Sequence, residues 1–74
     1  MAEKKTAGFP VWRTPEGEPV SCIEKVKVLN ENLEEIAALA QEAFEDALLM
    51  GCEEKQIREA FAAILSNLEN PYRK

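Results

Sequence analysis

Apolar side chains recur along residues 22–50 at spacings of four and three residues that alternate without a break. The positions that share this spacing are Cys22, Val26, Leu29, Leu33, Ile36, Ala40, Ala43, Ala47 and Met50. A pattern of this kind is typical of an α-helix that buries one continuous stripe. Gly51 follows directly, and glycine there can adopt the left-handed conformation that ends a helix. The sequence therefore predicts one long helix over residues 21–50.

Two positions are possible starts of this helix. Ser21 with Glu24 three residues later forms the pattern of a capping box, in which each side chain bonds to the other residue's backbone. Asn32 with Glu35 makes a second such pair, and residues 26–28 alternate as a strand would. Because the apolar spacing continues without a change of phase, we prefer the start at Ser21. A start near Asn32 stays open at this point.

A second, shorter helix follows after only two residues, Gly51 and Cys52. Its apolar positions repeat at spacings of four, three and four residues, at Ile57, Phe61, Ile64 and Leu68. Glu53 and Gln56 form a capping pair at its start, and Asn70 with Pro71 ends it. These signals predict a helix over residues 53–69 and a tail over 70–74. A connection this short predicts an antiparallel helical hairpin, with one long and one short helix.

The segment before the long helix cannot itself be helical, because residues 9–20 hold three of the four prolines. We refer to residues 9–20 as the arm. Thr14–Gly17 has proline and glycine where a tight turn needs them, so a short β-hairpin is one form that the arm can take. Residues 1–8 are polar and small, and we expect them to be flexible. The predicted fold is therefore an all-α hairpin preceded by a proline-rich arm, with a single domain over residues 9–74.

The two helices differ in length, since residues 22–50 span about 43 Å and residues 54–69 only about 24 Å. The short helix therefore leaves about half of the long one uncovered. The uncovered apolar residues, which we call the seam, are Ile23, Val26, Leu29 and Leu33. Either the arm, through Trp12, or a second chain must cover them, and we expect both to contribute. The predicted interaction surface consists of the seam together with Trp12.

Several side chains admit a structural and a functional interpretation. Trp12 is either a recognition anchor or, as we favour, a cover for the open end of the core. We expect Arg13 to stack, to pair with a nearby glutamate or to remain solvated, and Asn30 to be an ordinary surface amide. Apolar residues off the seam indicate a second contact surface; these are Val28, Leu39, Leu48 and Leu49.

Charge and residue counts exclude several functions. Fourteen acidic against nine basic residues give a net charge of -5, which argues against a nucleic-acid partner. The chain has no histidine, and its two cysteines are predicted to lie about 45 Å apart as small, partly buried hydrophobes. We therefore predict no catalytic residue, no cofactor and no metal. No apolar run reaches the ~20 residues of a membrane span, and the N-terminus lacks a signal-peptide core, so we expect a cytoplasmic protein.

Three segments resemble one group of known proteins. They are residues 12–20 (WRTPEGEPV), 24–35 (EKVKVLNENLEE) and 44–51 (FEDALLMG). Over roughly residues 9–51 the chain resembles small uncharacterised helical proteins of proteobacteria. The resemblance implies a bacterial cytosolic protein, and it implies no activity, cofactor or catalytic residue.

The function that the sequence predicts is a non-enzymatic protein–protein interaction module. It would bind a protein partner, or itself as a weak homodimer, through the seam and Trp12. Two alternatives stay open. One is an accessory subunit that stabilises a larger enzyme complex, and the other is a small enzyme that uses carboxylates alone.

Overall fold

A computed structural model of the chain describes residues 8–73. The predicted flexible N-terminus lies outside the described residues except for Gly8. Two α-helices form, α1 (Ile23–Leu49) and α2 (Glu54–Ser66), and the described part of the chain contains no β-strand. The all-α helical hairpin with one long and one short helix is therefore confirmed.

The chain divides within α1 into two compact units, Met1–Leu39 and Ala40–Lys74. The first unit contains the arm and the greater part of α1. The second contains the last turns of α1, the connection and α2. We describe each unit by itself.

In the first unit the arm folds into a small hairpin. The Val20 N–H donates to the Trp12 carbonyl at 2.7 Å, and the Thr14 N–H donates to the Glu18 carbonyl at 2.8 Å. Between these two bonds, Arg13 and Pro19 form an isolated antiparallel bridge. Arg13 and Pro19 face each other as a pair that exchanges no backbone hydrogen bonds, since the bonds lie on either side of it. The missing N–H of Pro19 therefore costs the hairpin nothing.

The turn of this hairpin is closed by Gly17. Its N–H donates to the Thr14 carbonyl at 2.8 Å, and its φ of +90° lies in the left-handed region. A three-residue hairpin loop needs a residue of that conformation at this position, and glycine adopts it without strain. The Arg13 Nη1 donates to the Gly17 carbonyl at 2.9 Å and adds a side-chain bond across the turn.

Helix α1 begins at Ile23, one residue later than a cap at Ser21 requires. The Val26 N–H donates to the Cys22 carbonyl at 3.0 Å, so Cys22 is the N-cap residue. The Val20 N–H is bonded within the arm, so Ser21 and Cys22 form the connection between the arm and the helix. The predicted cap at Ser21 is wrong by one residue, and a start near Asn32 is excluded.

Helix α1 ends at Leu49, one residue before the predicted end, and it ends at the glycine motif that its sequence predicts. The Cys52 N–H donates to the Ala47 carbonyl and the Gly51 N–H to the Leu48 carbonyl, both at 3.0 Å. These two bonds define a Schellman motif, in which the residue after the C-cap takes a left-handed conformation. Gly51 supplies that conformation with a φ of +93°. The chain can therefore leave one helix and begin the next within four residues.

Helix α2 is shorter at its end than the apolar spacing predicts. It stops at Ser66, and the Asn67 N–H donates to the carbonyls of Ala63 at 3.0 Å and Ile64 at 3.2 Å. Further on, the Asn70 Oδ1 accepts the Tyr72 N–H at 2.8 Å. The predicted end at residue 69 is three residues too late, because Asn67 already has the non-helical backbone of a C-cap residue.

The start of α2 lacks the capping pair that the sequence predicts. Glu53 is the N-cap residue, with extended backbone and no side-chain hydrogen bond to the helix. Glutamate is not among the residues that cap helices well, because short side chains such as serine and aspartate reach the free N–H groups best. The predicted capping pair of Glu53 and Gln56 is therefore wrong.

The second unit has a small core at which the last turns of α1 meet α2. Ile57 is buried, with 6% of its surface exposed. The Phe44 and Phe61 rings lie edge to face, with centroids 6.5 Å apart and an interplanar angle of 68°. The Arg58 guanidinium carbon lies 4.7 Å from the centroid of the Phe44 ring. The short connection thus brings Phe61 against Phe44, in the region that the sequence predicts.

Candidate interaction surface

Trp12 joins the arm to α1 in the first unit. Its Nε1 donates to the Asn30 Oδ1 at 2.8 Å, and both side chains are partly buried. A partly buried indole N–H needs such an acceptor. Trp12 therefore covers part of the helix, and the expectation that Asn30 is an ordinary surface amide is wrong. The sequence contains a signal for this contact. A tryptophan that covers a helix needs a hydrogen-bond acceptor on that helix for its indole N–H, and Trp12 is the only tryptophan.

The seam residues differ among themselves in burial. Val26, Leu29 and Leu33 are partly buried, whereas Ile23 keeps 82% of its surface exposed. Ile23 is the first residue of α1, where no preceding turn lies beside it. The structure thus places four of the five predicted surface residues, Trp12 included, in partly covered positions. Part of the seam is occupied within the chain itself.

An open groove runs between the arm and the start of α1. It encloses about 690 Å³ and is lined by Thr14, Pro19, Val20, Ser21, Cys22, Glu24, Lys25, Val28 and Leu29. The Thr14 Oγ1 is buried there and has no hydrogen-bond partner within residues 8–73. One acidic and one basic side chain line the groove, so it has no net charge that selects a ligand.

Beside the seam, α1 carries a second row of apolar side chains. Val28, Ile36 and Leu39 are 54%, 51% and 68% exposed, and we call these three residues the apolar stripe. They lie within about 80° of one another around the helix, at 100° per residue, and the exposed amide of Asn32 lies in the same arc between Val28 and Ile36. The stripe spans about 17 Å, or three helical turns. It includes two residues, Val28 and Leu39, that the sequence predicts for a second contact surface, and it adds Ile36, which belongs to the regular apolar spacing of residues 22–50.

Acidic side chains follow the edge of the apolar stripe opposite the seam. Glu31 and Glu35 lie about 80° and 40° from Leu39 around the helix, and we call this pair the acidic row. Both are exposed. Over residues 8–73 the ion pairs join Lys55 to Glu59 and Arg58 to Glu54, all on α2. The acidic row therefore has no cationic partner in the described part of the protein.

Histidine and cysteine, which are common metal ligands, are scarce in this sequence. The chain has no histidine, and within the described range no three carboxylates or thiols lie together as metal ligands would. Cys22 and Cys52 carry free thiols, and both are exposed. The expectation that they are partly buried is wrong, because each lies in a connection rather than on a covered helix face. No described helix is both long enough and apolar enough to cross a lipid bilayer.

Comparison of this chain with protein-family models, with curated proteins and with solved structures finds no match in any of the three.

Proposed function

We propose that this protein is a cytoplasmic, non-enzymatic protein–protein interaction module that binds another protein through exposed apolar residues of α1. The observation that carries the proposal is how little apolar surface the chain covers by itself. Of the described residues, Ile57 alone forms a buried core, while twelve large apolar side chains are exposed. A helical surface of this kind is typical of a protein that completes its core with a partner.

The apolar stripe is the part of this surface that we assign to the partner. The seam at Val26, Leu29 and Leu33 is already partly covered, so it has less to gain from a second protein. Each stripe residue is more than half exposed, and its burial would contribute roughly 1 to 2 kcal/mol to binding. The three residues together can therefore support a specific contact.

Photo-cross-linking inside the cell tests this proposal. A photoreactive amino acid at position 39 should give a discrete cross-linked product, because Leu39 is the most exposed residue of the stripe. The same amino acid at position 34 is the matched control, since Glu34 lies on the same helix about 140° away from Leu39. The measurement is the mass of each product and its sequence after proteolysis.

The identity of the product separates the alternatives. A product of twice the chain mass indicates a homodimer, and a product that contains a metabolic enzyme indicates an accessory subunit. Equal, diffuse labelling from positions 39 and 34, or no product from position 39, would contradict an interaction surface at the stripe. The readout does not depend on knowing the partner in advance.

A further inference from the structure

We infer that the apolar stripe binds a basic amphipathic α-helix of another protein. This inference rests on the proposed function and adds the chemistry of the partner. A helix is the occupant that fits best because the stripe follows the axis of α1 for about three turns. The partner helix would set its own apolar residues against Val28, Ile36 and Leu39.

The charge beside the stripe indicates that this helix is basic. Glu31 and Glu35 border the stripe along one edge, and both are exposed. Between residues 30 and 49 the chain has six acidic residues and no basic one. The two cations of α1 lie near its start, Lys25 in the same arc as the stripe about one turn before its first residue and Lys27 one turn before Glu31. Lysine or arginine on one flank of the partner would therefore meet carboxylates along the edge of the contact.

A second copy of this chain fits the stripe less well. Two copies that pair antiparallel through the stripe are related by a two-fold axis. That axis places the acidic row of each copy on the same edge of the interface, where the carboxylates repel one another. Parallel pairing sets each acidic row beside the other copy's seam, which carries no cation. Charge complementarity thus favours a different, basic protein over self-association.

The inference is tested with a synthetic peptide and the full chain. The probe is a helical peptide of about 14 residues, with leucine along one face and lysine on both flanks. The control peptide has glutamate in place of each lysine. We expect the basic peptide to bind and to shift the amide NMR signals of residues 28–39. We expect the acidic peptide to bind at least about tenfold more weakly.

Two matched pairs of variants locate the contact. Glu35→Lys should weaken binding of the basic peptide about fivefold, and Glu34→Lys, with the same change of charge on the neighbouring residue, by less than twofold. Leu39→Ala should also weaken it about fivefold. Leu49→Ala, at a still more exposed leucine at the end of α1, should leave it unchanged. Circular dichroism confirms that each variant keeps its helices.

Four results would overturn the inference. They are equal binding of both peptides, no binding of the basic peptide, equal effects of Glu34→Lys and Glu35→Lys, and a homodimer that requires Leu39 and excludes the peptide. A failure of the peptide together with a discrete cross-link from position 39 would reject the basic helix and keep the interaction surface. A failure of both experiments would reject the proposed function itself.

Discussion

Replacement of Ile57 by alanine should lower the free energy of unfolding by about 3 kcal/mol, a large fraction of what so small a chain has. Ile57 is the buried residue of the described core, with 6% of its surface exposed. Truncation removes apolar contacts between α2 and the end of α1, where Phe44 and Phe61 meet. Because Ile57 is the buried apolar residue among those described, no other buried side chain replaces the contacts that the truncation removes.

Urea denaturation followed by circular dichroism at 222 nm measures this loss. The matched control is Ile64→Ala, which makes the same truncation on the same helix at a residue that is 67% exposed. We expect that control to cost about 0.5 kcal/mol. Equal losses for the two variants would mean that α2 does not bury the face that carries Ile57.

Replacement of Trp12 by alanine should detach the arm and cost about 2 kcal/mol of unfolding free energy. The indole covers part of α1 and donates a hydrogen bond to Asn30, so its removal takes away both apolar cover and the bond. Asn30→Ala removes the acceptor alone and should cost about 1 kcal/mol, because the partly buried indole N–H then lacks a partner. Chemical denaturation measures both losses.

Fluorescence gives a second readout, since Trp12 is the only tryptophan of the chain. Asn30→Ala should shift the emission of Trp12 to longer wavelength as the arm loosens. Asn32→Ala makes the same truncation two residues further along α1, at an exposed amide, and should change neither emission nor stability. If Asn30→Ala and Asn32→Ala behave alike, the arm is not held on α1 by this bond.

The hairpin could be predicted from the sequence because its determinants are local. The apolar spacing of α1 continues up to a glycine, and Gly51 supplies the left-handed residue that the Schellman motif needs. Thr14–Gly17 forms its turn for a similar reason, since Pro15 and Gly17 prefer the required backbone conformations. Each of these features depends on residues that are close in sequence.

The helix ends were harder to predict, because weak bonds of similar strength compete there. The apolar spacing continues to Leu68, yet α2 ends at Ser66. The Asn67 N–H bonds to the Ala63 and Ile64 carbonyls, and Asn67 ends the helix as its C-cap residue. Spacing alone cannot weigh such a bond against one more helical turn.

The candidate site was predicted in part. The sequence indicates that the first half of α1 needs a cover, and Val28 and Leu39 were expected to lie off the seam. It does not show which half of the apolar surface the arm would occupy. That depends on the Trp12–Asn30 contact between residues 18 positions apart, which no local pattern specifies. We assign the partner surface to the stripe and not to the seam, because Trp12 covers part of α1 and each stripe residue is more than half exposed.

The central claim is that the chain partly covers Val26, Leu29 and Leu33 of its seam and leaves the apolar stripe free for a partner. Methyl NMR of the full chain with an inert paramagnetic co-solute measures this directly, residue by residue. The account predicts strong relaxation of the Ile36 and Leu39 methyl groups and clearly weaker relaxation of Leu29 and Leu33. Addition of the basic peptide should then protect Leu39. Equal relaxation of Leu39 and Leu33 in the free protein would contradict the account.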